Sequence, residues 1–69
     1  MSSAIQKKFG KRVKQLRLER DLSQEKLAEK AGMHRTYIGM VERAEKNISL
    51  SGIEKIARAL KVKMRDLVD

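Results

Sequence analysis

Apolar residues in this chain recur at steps of three and four, and nowhere do they alternate with polar ones for long enough to propose a strand. That periodicity restricts the fold to packed helices, and its interruptions count them. Ile5, Phe9, Val13 and Leu16 follow at steps of four, four and three, one apolar stripe on a first helix whose other faces are basic. Leu18 falls off the stripe. Asp21, Leu22 and Ser23 break the pattern, and Ser23 suits the N-cap of a second helix from Gln24, with Glu25 near its positive end. Leu27, Ala28 and Ala31 form its inner face, and Gly32 ends it in the left-handed conformation that glycine adopts without penalty. A third helix, starting at Met33 or His34, points Ile38 and Val41 inward and turns Arg35, Thr36, Gly39, Met40 and Arg43 elsewhere. Beyond a loop over residues 44–48, Ser49 caps a fourth helix with Leu50, Ile53, Ile56, Ala57 and Leu60 as its stripe. Ser51 with Glu54 offers a competing capping-box start two residues later. Residues 61–63 separate a last short helix holding Met64, Leu67 and Val68. The expectation is an all-α fold of about five helices, a single domain over residues 1–69 with no linker, repeat or low-complexity tract.

Nothing but packing is available to hold such a fold. The 69 residues include no cysteine, which excludes disulfides and thiolate metal sites, and His34 is the one histidine, which excludes a multi-histidine site. A domain of this size buries only about 60% of the surface its unfolded chain exposes, so a dimer interface is an attractive source of further burial. No stretch approaches the roughly 20 apolar residues of a membrane span, and none suggests a signal peptide, so a soluble cytoplasmic protein is expected. No nucleophile, base and orienting group converge, so no enzyme and no cofactor are implied.

The formal charge of +8 is unevenly placed. Residues 1–20 hold seven cations (Lys7, Lys8, Lys11, Arg12, Lys14, Arg17, Arg20) against Glu19 alone, while residues 21–69 hold ten cations against eight anions. A basic segment of this kind attracts a polyanion, either nucleic acid or an anionic membrane surface, or else it is a solvated face that keeps the chain soluble. A membrane role conflicts with the core's need for the first helix's apolar stripe and with the scarcity of aromatic anchors. Two aromatic residues in all also argue against RNA recognition by stacking.

Residues 23–31, 32–34 and 35–43 form two short helices joined by a tight glycine-containing turn, the description of a helix-turn-helix, whose second helix enters the major groove of duplex DNA. The run Leu22-Ser-Gln-Glu-Lys-Leu-Ala-Glu-Lys-Ala-Gly-Met-His-Arg-Thr-Tyr-Ile-Gly-Met-Val-Glu-Arg43 resembles the phage repressor and Cro type of helix-turn-helix, and the five-helix, lambda-repressor-like resemblance covers nearly the whole chain. Within that family the segment Arg35-Thr-Tyr-Ile-Gly-Met-Val-Glu-Arg-Ala-Glu-Lys-Asn-Ile-Ser-Leu50 is most similar to the controller proteins of restriction-modification systems. The resemblance implies a small homodimeric regulator of transcription on operators upstream of its own gene and the endonuclease gene, activating at low occupancy and repressing at higher occupancy. A phage-type or antitoxin-like repressor, or a protein-interaction module on the same fold, is the alternative, and the protein-interaction module predicts little discrimination between DNA targets.

The resemblance also assigns roles. Gln24 matches a phosphate anchor, at a helix start that favours anions. Arg35, Thr36 and Met40 fall on groove-facing positions; Arg35 is suited to pair bidentately with guanine O6 and N7, worth about 1 to 3 kcal/mol of discrimination. Met40 either touches bases or packs on the second helix. Tyr37 hydrogen-bonds a phosphate or covers the core rim, and His34 is an N-cap or a phosphate neighbour. Gly39, at about 1 kcal/mol of helix propensity lost relative to alanine, either admits close approach to the bases or is tolerated. Arg43 and Lys46 reach the flanking backbone or lie in a solvated loop, with Asn47 in the same loop as a turn former. Arg17 and Glu42 match a partly buried salt bridge, in which loss of one partner strands a charge at about 3 to 5 kcal/mol. Ala44 departs from the family's usual glycine, so a strained or reshaped loop is expected. Glu25 and Glu29 match acidic positions that touch the sigma subunit of RNA polymerase in activating members, and ordinary solubility with local pairing explains them equally.

One recognition helix reads only a few base pairs, so two-fold symmetry on a pseudo-palindromic operator, with helices about 34 Å apart, is implied. Val62, Met64, Leu67 and Val68 lie at the end where this family dimerises; alternatively they cap the bottom of the core. The expected partners are double-stranded DNA, a second copy of the chain and the sigma subunit, with no membrane.

Overall fold

The computed structural model describes residues 3–68, which form five helices and no strand: α1 (Ala4–Glu19), α2 (Gln24–Ala31), α3 (Arg35–Glu42), α4 (Leu50–Leu60) and α5 (Met64–Val68). Side-chain hydroxyls set the helix starts. Ser23 Oγ accepts the Lys26 amide at 2.9 Å and Ser49 Oγ accepts the Gly52 amide at 3.1 Å, so α4 starts at Ser49 and the rival start at Ser51 is not used. Ser3 opens α1 through a capping box, accepting from the Gln6 amide while Gln6 Oε1 accepts from the Ser3 amide, a Ser-x-x-Gln signal the periodicity argument passed over. His34 occupies the N-cap of α3 in an extended conformation, yet its side chain makes no capping hydrogen bond. Gly32 stops α2 at φ +70°, and Met33 N–H then donates to Ala28 C=O at 2.8 Å, closing the tight turn that sets α3 across α2.

The core joins all five helices: Phe9 and Val13, Leu27, Ala28 and Ala31, Ile38 and Val41, Ile56, Ala57 and Leu60, and Leu67. Full burial of each large aliphatic side chain contributes about 1.5 to 3 kcal/mol. Two residues of the expected stripes lie outside this core. Ile5 is 61% exposed and Leu50 is 76% exposed, because each sits in the first turn of its helix, where the stripe runs past the elements that cover it. Leu67 goes the other way: it is fully buried among core side chains, so it closes the bottom of the core and is not surface for a dimer. Val62 and Val68 are half-buried against the core, and Met64 is exposed.

Gly10 positions α1. A Cβ there would lie 2.6 Å from the Val41 carbonyl oxygen and 2.8 Å from that of Glu42, so only a bare Cα lets α1 press on the end of α3. Ala44, buried just after α3, adopts φ +60°. It keeps the left-handed backbone that glycine favours, at a strain of roughly 1 to 2 kcal/mol for a residue with a Cβ.

Candidate nucleic-acid interface

The far side of α3 is braced. Arg17, buried on α1, pairs bidentately with Glu42 at the end of α3, Nε to Oε2 at 2.7 Å and Nη2 to Oε1 at 3.1 Å, the two side chains being 9% and 3% exposed. Arg17 Nη1 also donates to Leu22 C=O at 2.7 Å, and Gln24 Nε2 donates to Glu42 Oε1 at 3.1 Å. The Arg17–Glu42 pair therefore ties α1, the turn before α2, the start of α2 and the end of α3. Among the described residues no buried side-chain nitrogen or oxygen is without a partner, the condition under which a buried ion pair does not penalise the fold.

That brace presents the opposite face. Arg35 and Thr36 are exposed at the start of α3, and Met40 is half-buried one turn on, outside the set of residues packed on the core. Two depressions flank the helix, the first mainly polar and the second of mixed character. The first, between α3 and the start of α2, is lined by Gln24, Arg35, Thr36, Gly39 and Arg43. Gly39 is its floor: a Cβ there would lie 3.1 Å from Arg43 Nη1 and 3.5 Å from Gln24 Oε1. Of the two readings of Gly39, its burial beneath the Arg43 and Gln24 side chains speaks against close approach to the bases and leaves the tolerated glycine. The second depression, between α3 and the start of α4, brings His34 and Tyr37 beside Ser49, Ser51 and Lys55. Tyr37 is half-buried and packs against the core while lining this depression. Sequence reasoning gave Ser49 and Ser51 only capping roles and Lys55 none; no local signal brings residues 49–55 beside a tyrosine of another helix.

The remaining candidates distribute as follows. Arg35 Nη1 lies 3.9 Å from Glu25 Oε2, and Arg43 Nε lies 3.1 Å from Glu45 Oε2, both pairs exposed. Glu29 pairs loosely with Lys26 at 3.5 Å on the outer face of α2. Asn47 Oδ1 accepts from Gln6 Nε2, linking the loop after α3 to the first turn of α1. Lys46 is exposed at the rim of an apolar pocket of about 240 Å³ lined by Ile5, Phe9, Val41, Ile48, Ile53 and Val68. Three of the seven cations in residues 1–20 serve the fold: Arg17 in the brace, Arg12 donating to Asp66 C=O at 3.0 Å, and Arg20 donating to Leu60 C=O at 2.8 Å, the latter two at the ends of α5 and α4. Among the described residues no group of three metal-ligating side chains converges, and no helix is long and apolar enough to cross a membrane.

Comparison with known proteins places this geometry. Residues 13–67 match the helix-turn-helix family model. The control protein C.BamHI of Bacillus amyloliquefaciens is 49% identical over 70 positions, covering 100% of this chain and 86% of that protein. Among solved structures, the restriction-modification controller protein C.AhdI from Aeromonas hydrophila superposes with a TM-score of 0.91 at 46% identity, over 94% of this chain and 98% of that one. The biofilm master regulator SinR, solved in complex with DNA, superposes with a TM-score of 0.84 at 39% identity, over 88% of this chain and 98% of that one.

Proposed function

The chain belongs to the helix-turn-helix family and is similar over nearly its whole length to restriction-modification controller proteins, and from that premise we propose that it is a controller of this kind. It binds duplex DNA in the cytoplasm, on the nucleoid, as a homodimer on a pseudo-palindromic operator upstream of its own gene and the endonuclease gene, activating at low occupancy and repressing at higher occupancy. The observation that carries the reading is the contrast across α3: a back fixed by Arg17, Glu42, Gln24 and Gly10, and a front that presents Arg35 and Thr36 to solvent.

In this reading Arg35 reads guanine, Thr36 a base or a thymine methyl, and Met40 makes an apolar base contact. Gln24 anchors one phosphate from the first depression. His34 and Tyr37, with Ser49, Ser51 and Lys55, hold another on the far flank, and Arg43, Lys46 and Asn47 meet the backbone beyond the helix. The dimer forms through Val62, Met64 and Val68, extended by Ile5 and Ile53 around the apolar pocket. Glu29 is the candidate sigma contact best separated from DNA, because Glu25 lies against Arg35.

Footprinting on the DNA upstream of the gene tests the reading. A protected two-fold site is expected, with affinity falling on the order of 10³ to 10⁵ between 50 and 200 mM salt if a dimer neutralises about 6 to 10 phosphates. Arg35→Ala should lose discrimination for that site; unchanged discrimination, or a protein monomeric at micromolar concentration, defeats the proposal. Glu29→Lys should abolish stimulated transcription while leaving the footprint intact, and equal loss of both removes the sigma contact.

A further inference from the structure

Two contacts fix which face of α1 meets the end of α3. Gly10 lies against the Val41 and Glu42 carbonyl oxygens, and Arg17, further along the same face, pairs with the Glu42 carboxylate. A third contact, from Gln6 Nε2 to Asn47 Oδ1, brings the first turns of that face beside the loop after α3. At about 3.6 residues per turn, Lys14 and Lys7 stand about 40° and 60° around the axis from Gly10, on the rim of this seam away from Phe9 and Val13. Lys8 stands about 160° from Gly10. It lines a depression with Lys11, Arg12 and Gln15, on the side where Arg12 reaches α5. The two sides also differ in their carboxylates. The one carboxylate of α1, Glu19, lies about 180° from Gly10 and accepts from Gln15 Nε2 at 3.2 Å, on the Lys8 side. At the seam, Glu42 is 3% exposed and already accepts two bonds from Arg17 and one from Gln24, and Glu45 is taken by Arg43 at 3.1 Å. Lys7 and Lys14 are exposed and, among the described residues, enter no ion pair.

We propose that Lys7 and Lys14 bind backbone phosphates of the operator, continuing along α1 the strip that Arg43, Lys46 and Asn47 begin, while Lys8 and Lys11 do not touch the duplex. The inference rests on the DNA-binding reading above. A lysine ammonium is a compact point charge with three donors and no planar fork, which suits a phosphate better than a base edge. Lys7 and Lys14 lie about 10 Å apart along the helix axis, far enough to take separate phosphates. A cation in contact with a phosphate releases condensed counterions, and the salt dependence of binding counts such contacts. A cation on the far side of a helix about 10 Å across acts only through its field, which salt screens within about 8 to 10 Å at 0.15 to 0.1 M. Place on the helix, with charge held equal, therefore separates the two pairs of lysines.

The experiment is an equilibrium titration of the full chain against the footprinted duplex between 50 and 200 mM salt, as wild type, Lys7→Gln, Lys14→Gln, Lys8→Gln, Lys11→Gln and the Lys7→Gln, Lys14→Gln double variant. The four single substitutions remove the same charge at exposed positions, and a thermal melt confirms that the variants fold. Each seam substitution deletes one phosphate contact from each half of a dimer. The loss of affinity across that salt range should therefore be about tenfold smaller than in wild type for Lys7→Gln and for Lys14→Gln, and about a hundredfold smaller for the double variant. For Lys8→Gln and Lys11→Gln it should stay within about threefold of wild type. An unchanged salt dependence for either Lys7→Gln or Lys14→Gln, or an equal or larger change for Lys8→Gln or Lys11→Gln, overturns the inference while leaving the wild-type footprint intact. A wild-type protein that protects no site upstream of the gene overturns the DNA-binding reading, and this inference with it.

Discussion

The two sides of α3 are built by opposite rules. On the back, Gly10 leaves no room for a methyl group against the Val41 and Glu42 carbonyls, and Arg17 and Glu42 pair out of solvent with half-buried Gln24 donating to the same carboxylate. On the front, Arg35 and Arg43 meet carboxylates that are themselves exposed, and the backbone beyond the helix passes through a strained Ala44. The back fixes where the helix lies, while the exposed ion pairs of the front are free to rearrange, which suits the DNA-facing role proposed for it.

Substitutions on either side should break this contrast in graded fashion. The largest effect belongs to Glu42→Ala, which leaves the Arg17 guanidinium buried and unpaired; a loss of about 3 to 5 kcal/mol in denaturant unfolding is expected. Next comes Gly10→Ala, whose methyl meets backbone oxygens that cannot yield, at about 1 to 3 kcal/mol, read as a drop of several degrees in Tm. Gly39→Ala is the same substitution on the other side of the helix, with the opposite sign. Its methyl meets the far end of the exposed Arg43 side chain, which is free to move, so stability should hold or rise by up to about 1 kcal/mol while operator affinity falls as Arg43 leaves its seat. If Gly39→Ala unfolds the protein as readily as Gly10→Ala, the front is as rigid as the back. The smallest effect is Ala44→Gly, a gain below about 1 kcal/mol, since relief of the left-handed strain is offset by lost methyl burial and a freer unfolded chain.

These differences also mark how far the residue pattern alone could be read. The start of α2 and the inner faces of α2 and α3 were legible, because a serine cap and a three-four spacing act within one helix, whereas two serines two residues apart left the start of α4 open. Ile5 and Leu50 were misplaced because periodicity names a face and says nothing of how far the neighbouring helix extends. Leu67 stays open between dimer surface and core cap in the sequence for a related reason: a five-residue helix has too few turns to separate inside from outside. Gly10, the covering of Gly39 and the Glu25 to Arg35 pair join residues of different segments, and no spacing along the chain encodes them. The Arg17 to Glu42 pairing was anticipated only through the family resemblance, across 25 positions of sequence.

The division of labour among the cations of α1 has a practical consequence at the bench. Arg17 is buried against a carboxylate, Arg12 and Arg20 are exposed but tied to carbonyls, and Lys8 and Lys11 line a depression with Arg12 and Gln15 that shares no residue with either hollow beside α3. A featureless polyanion such as heparin will meet those lysines first. Retention on such a column therefore reports on the lysine face of α1, and a variant that has lost all ability to read its operator should elute where the wild type does.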